Sequence, residues 1–330
     1  MPGKNDFEAG LTRRKLLATA GAAAAVPVES AAETRIPIID THLHLFDPTR
    51  PQGVPYPPIP NPPQQLPEQY REDVTPIGIS GGIKVEASPW VEDNLWVLET
   101  IANAPIIVGV IGDLDPTKPE FPEYLERYHR NKLFLGIRYG NVWPGHNLVA
   151  AVDNPAFIAN MKVFAQTGLT LEVANPRVDL IHATLRLADK VPDLRIVLGH
   201  LQALPLPADA NVLKGYTNDL RELRQRKAYA KVSGVPRRSN DGPYQLDPAV
   251  YKPMLDFIWD IFGEDYIVYA AGWSRMKVQP PPVVRIRMSL NVLMTYFLEK
   301  GRPAAEKYFW KNSVPAFRWV RRDPSQPQLT

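Results

Sequence analysis

The chain has 330 residues, 45% hydrophobic and 22% charged, with a formal net charge of +3. That length suits one large α/β domain, and the near-balanced charge implies neither nucleic acid nor a membrane surface as a partner. The absence of cysteine excludes disulfides, thiolate metal ligands and a cysteine nucleophile. At the N-terminus, Thr12-Arg13-Arg14-Lys15-Leu16-Leu17 has the twin-arginine form of an export signal. The run from Leu16 to Val28 is too short and too Ala-rich to span a membrane, and Ser30-Ala31-Ala32 offers small residues for cleavage. Residues 1–32 therefore read as a signal peptide and residues 33–330 as one mature domain. The expectation is export in a folded state by the twin-arginine machinery, to the periplasm or beyond, with no membrane anchor after cleavage.

The first element is the apolar run Ile36 to Asp47, a buried strand carrying His42-Leu43-His44. A proline-rich stretch from Pro48 to Pro67 follows. It can form neither helix nor central strand, and the spacing of Tyr56 and its apolar neighbours predicts a packed lid. A βα rhythm then sets in. Strands are predicted at Ile83–Ala87, Ile106–Asp113, Leu133–Tyr139, Leu169–Val173, Leu194–His200, Ala228–Ser233 and Tyr266–Ala271. Helices are predicted between them at 93–103, near 119–130, at 154–166 with Asn154 as cap, at 178–190, 218–226 and 251–262. Two more, near 283–299 and 304–310, close the chain. Eight short apolar strands alternating with helices predict a single parallel (β/α)8 TIM barrel.

In such a barrel the chemistry sits at the carboxyl ends of the strands. His42 and His44 share one strand face because side chains alternate, and together they could hold one divalent metal such as Zn or Mn. The other strand ends carry Glu86, Arg138, Glu172 and His200. Three imidazoles, or two plus Glu172, would make an open mononuclear site. Arg138, rather than lysine, ends strand 4, which argues against a lysine-bridged metal pair. Glu172 and Glu86 are candidate bases. Arg138, Arg177, Arg237, Arg238 and Arg275 follow strands 4, 5, 7 and 8; converging, they would hold a small anionic organic substrate. Trp90, Trp143 and Trp273 are candidate pocket walls. His129, His146 and His182 fall on helix or loop and are expected to face solvent.

Asp40-Thr41-His42-Leu43-His44-Leu45-Phe46-Asp47-Pro48 resembles the opening of the amidohydrolase-related (amidohydrolase 2) family, and the likeness extends over about residues 35–320. His200, after Arg195-Ile196-Val197-Leu198-Gly199, resembles the family's strand-6 histidine. The resemblance implies a TIM-barrel hydrolase of the lactonase type, with decarboxylation as an alternative activity and either one metal or a metal-free site. The departure is on strand 8. Where the family's Gly-Ser-Asp-Trp-Pro segment places an Asp, this chain reads Ala270-Ala271-Gly272-Trp273-Ser274. Gly272 can neither ligate nor act as base. It therefore favours a base at Glu172 or Glu86, or else a non-catalytic binding barrel.

Overall fold

The short apolar runs pair side by side in the order in which they occur. The computed structural model describes residues 35–330 apart from 176, 202–204, 239–241, 277–278 and 330. The strands are β1 (Ile38–Leu43), β2 (Ile79–Val85), β3 (Ile107–Gly112), β4 (Phe134–Arg138), β5 (Thr170–Val173), β6 (Arg195–Leu198), β7 (Tyr229–Val232) and β8 (Ile267–Tyr269). Each is parallel to the next. The last meets the first through a bridge between Leu43 and Trp273 and a 3.1 Å bond from Gly272 N to His42 O. The result is a nearly closed (β/α)8 barrel. The strands are buried almost throughout, as parallel strands covered by helices must be. The export signal expected at 1–32 lies outside the described residues.

The helices are α1 (Pro67–Val74), α2 (Asp93–Ala102), α3 (Phe121–His129), α4 (Leu148–Ala151), α5 (Pro155–Gln166), α6 (Val178–Lys190), α7 (Ala210–Gln225), α8 (Pro248–Phe262), α9 (Pro282–Glu299), α10 (Arg302–Glu306) and α11 (Ser313–Phe317). Asn154 caps α5 by accepting from Ala156 N at 2.9 Å, with Pro155 at the first helical position, where its missing N–H costs nothing. Two starts differ from expectation. Asp209 caps α7 by accepting from Asn211 and Val212 N, both at 2.9 Å, so that the helix begins at Ala210, eight residues before the predicted start. Asp247 caps α8 through Ala249 N at 2.9 Å, and Pro248 again occupies the first turn.

The proline-rich segment is stitched down over the mouth. Phe46 and Gln65 exchange backbone bonds of 3.0 and 2.9 Å, which closes the segment into a loop. The Gln65 side chain donates to His44 O at 3.1 Å and accepts from Ser274 Oγ at 3.2 Å. Arg50 pairs with Asp93 at 2.6 Å, and the Tyr56 ring lies 5.2 Å from that of His44.

Candidate active site

The end of β1 is fixed by a carboxylate that sequence reasoning left without a role. Asp40 Oδ1 accepts from His42 N at 2.9 Å and from Ala271 N at 2.7 Å, and Tyr70 donates to Oδ2 at 3.2 Å. Asp40 thereby ties β1 to the segment after β8. Burial raises its pKa to about 6 despite these donors.

Next comes a second unpredicted residue. Lys231 on β7 is fully buried, and its ammonium bonds Thr41 O at 2.8 Å and the Oε2 of Glu172 on β5. Interior layers of a barrel draw side chains from alternate strands, which is how β5 and β7 meet. Glu172 Oε1 faces His42 Nδ1 at 3.7 Å. His200 lies against His42, with ring centroids 4.3 Å apart, and its Nδ1 sits 2.6 Å from Ser233 Oγ. Burial lowers all three imidazoles. His42 and His44 fall well below the usual range, with nearby His200, Lys231, Arg138 and Lys84 adding to the effect. His200 falls to about 3, through burial and then Lys231 and Arg138. All three are neutral at pH 7.

Tautomers decide what the pair His42/His44 can do. His44 Nδ1 lies 3.1 Å from Val85 O. A carbonyl only accepts, so Nδ1 carries the proton and Nε2 a lone pair. That Nε2 faces His42 Nε2 at 3.1 Å. If His42 donates across this gap, its Nδ1 is left as a lone pair aimed at a carboxylate. His42 Nδ1 and Glu172 Oε1 are both buried without a hydrogen bond. Moving the proton to Nδ1 turns it toward Glu172 and leaves two lone pairs converging. Two nitrogens on a tetrahedral Zn at about 2.0–2.1 Å stand about 3.3 Å apart. His42 and His44 therefore fit two positions of a metal shell, with Glu172 and Val85 O supporting them from behind. Among the described residues no three His, Asp or Glu side chains are arranged around one ion. Glu172 Oε2 is bonded to Lys231 and His200 Nδ1 to Ser233, which leaves Glu172 Oε1 and His200 Nε2 without those partners.

The remaining expected site residues fall as follows. Glu86 bonds Arg138 Nε at 2.6 Å and Trp143 Nε1 at 2.8 Å, so Arg138 and Trp143 do lie at the mouth, but bound to a carboxylate. The other arginines do not converge there. Arg177 is exposed and pairs with Asp179. Arg275 binds Asp73 at 2.8 Å. Arg237 and Arg238 line a separate groove with Tyr251 and Met254, because the loop after β7 carries them outward. Trp273 is not a pocket wall: it is buried, packs edge-on to Tyr70 at 5.3 Å and donates to Asp73 at 2.8 Å. Gly272 has φ +66°, so a side chain there would be strained although it would meet open space. His146, expected in solvent, is buried against Tyr139 at 5.0 Å between ring centroids. The signal for Lys231 was present, since a lysine inside the apolar strand Tyr229–Val232 has to find a buried partner.

A family model described as Amidohydrolase, Amidohydro_2, matches residues 39–318. An amidohydrolase from Burkholderia multivorans crystallised with zinc is similar in structure, with a TM-score of 0.68 at 17% identity, covering 86% of this chain and 100% of that one. A "probable 2-pyrone-4,6-dicarboxylic acid hydrolase" from Acinetobacter baumannii, with citric acid bound, has a TM-score of 0.67 at 15% identity over 86% of this chain and 99% of that one. Amidohydrolase 2 from Bifidobacterium longum subsp. infantis has 0.57 at 21% identity over 87% and 100%. No curated protein matches the chain. At these identities the structures share the fold, whereas the family match spans most of the sequence. The chain belongs to the Amidohydro_2 family of amidohydrolases and is a barrel enzyme of the hydrolase type.

Proposed function

We propose that the protein hydrolyses a small carboxylated lactone, ester or amide by attack of water at the barrel mouth. The observation that carries this reading is the convergence of His42 and His44 Nε2 at 3.1 Å. These two residues would hold one zinc or manganese ion, and such an ion supplies Lewis acidity to a carbonyl or to water. Glu172, clamped by Lys231, orients His42 from behind and is a positioning residue rather than the base. Glu86 is tied to Arg138 and Trp143 and forms a wall. His200 takes the proton from water, with Ser233 fixing its ring.

A histidine held at about 3 is a weak acceptor, since a general base works best near the operating pH. Burial is the first cause of that depression, and an anionic substrate offsets only the smaller part that comes from Lys231 and Arg138. A substrate carboxylate would bind at Arg138 in competition with Glu86. The description of the Acinetobacter protein makes carboxylated lactones the first class to test. In this reading, zinc-supplemented protein opens such a lactone, and His42→Ala or His44→Ala loses about a hundredfold or more in kcat/KM together with the bound metal. Hydrolysis that survives both substitutions rules the reading out. We also propose that residues 1–32 direct folded export. Arg13→Lys with Arg14→Lys then keeps the chain in the cytoplasm, and unchanged export of that variant refutes it.

A further inference from the structure

A second pocket, of about 480 Å³, opens on the rim between the loops after β2, β3 and β4. None of His42, His44, Glu172, His200 or Lys231 lines it. Its floor is Asp113, Phe121 and His146, all buried. Asp113 is held rigidly by its backbone: Asn94 accepts from its N at 3.0 Å and donates to its O at 2.7 Å. Its side chain has no such tie. Asp113 Oδ1 and His146 Nδ1 are buried without hydrogen bonds and face each other at 3.4 Å. The two residues are 3% and 7% exposed.

The rim adds Glu92, Asp115 and Glu120 against the single cation Lys118, with Trp90 and Tyr124 as aromatic walls. Asp113 thus sits among other carboxylates, with aromatic faces beside it and no cation bonded to it among the described residues, a setting that favours a cation with an apolar or aromatic body. A bare metal ion does not answer the need, since among the described residues no three acidic or histidine side chains are arranged around one ion. We infer that this pocket binds an organic cation, a primary amine on an apolar or aromatic body, with the ammonium on Asp113 and the body against Trp90 and Tyr124. Burial, Glu86 and Asp115 raise the Asp113 pKa well above the usual carboxylate range, against the opposing pull of Arg138 and Lys84, and an ammonium on Asp113 would act in the same direction as those two cations.

Calorimetric titration of the full chain with benzylamine, benzyl alcohol and benzoate tests this. Benzylamine should bind, and the neutral and anionic analogues should bind at least roughly tenfold more weakly. Asp113→Asn should weaken benzylamine by about tenfold. Trp90→Ala, at an exposed position that does not threaten folding, should weaken it by about threefold or more. His42→Ala should leave benzylamine affinity unchanged, which separates this pocket from the barrel mouth. Preference for benzoate, displacement of benzylamine by zinc, affinity unchanged in both Asp113→Asn and Trp90→Ala, or loss of binding in His42→Ala would each overturn the inference.

Discussion

Two groups of buried charge sit at the same end of the barrel, and they are solved differently. Glu172 on β5 has Lys231 on β7, and Glu86, just after β2, has Arg138 on β4 and Trp143. Asp113, just after β3, faces His146 at 3.4 Å and has no bonded cation among the described residues, with Arg138 and Lys84 acting on it only from a distance. A paired buried charge has already recovered part of its desolvation cost inside the protein, and its geometry is fixed. An unpaired one has not, and burial favours its protonated form until a cation enters. The paired side therefore reads as scaffolding for the imidazoles, and the unpaired side as a receptor.

Breaking the paired side should have the largest effect. Lys231→Met leaves Glu172 buried without its cation, and loss of one partner of such a pair costs about 3–5 kcal/mol. Denaturant unfolding should show that loss. Adding Glu172→Gln should recover more than half of it, because the uncompensated charge is then gone. If Lys231→Met alone is as stable as the native chain, Glu172 is not the structural partner that the distances imply.

Much of this was legible in the chain. Strands buried on both faces read as apolar runs, so all eight were found, most within a few residues of their ends. The His42/His44 pair followed from the period of two alone. What was not legible lay in long-range pairing. Nothing local to Tyr229–Val232 says that Lys231 meets a glutamate on another strand, and nothing in the loop after β4 says that His146 is folded inward. The arginines were misjudged for the same reason: each found a nearby carboxylate or backbone partner, or was carried outward by its loop.

Gly272 shows the limit in a different way. Its identity pointed to a missing carboxylate, but its backbone angle could not be read from sequence. At φ +66° a side chain is strained, so restoring the family's residue is not free. Gly272→Asp should lose about 1 kcal/mol in denaturant unfolding, and its activity should gain little. A gain of more than tenfold in lactone hydrolysis would show that the loop relaxes to accept the carboxylate.

The smallest effect separates the two sides most cleanly. Asp113→Asn removes a buried carboxyl whose ionised form is disfavoured and which has no bonded cation among the described residues, so it should not destabilise the chain. It should instead raise stability at pH 7 by up to about 1 kcal/mol, because the amide escapes part of the penalty of a buried unpaired carboxylate. The pH dependence gives the sign. The folded pKa of Asp113 is raised above its usual value of 3.8. Between those two values the native state holds a proton that the unfolded chain has released, so native stability falls as pH rises through the window. Asp113→Asn lacks that fall. The two proteins should be equally stable below about pH 3.8 and diverge above it, with the variant ahead. Benzylamine should close the gap from the other direction by stabilising the native chain and not the variant. An Asp113→Asn chain less stable than native at every pH would mean that Asp113 is already paired in the folded state, and the contrast between the two sides of the mouth would be lost.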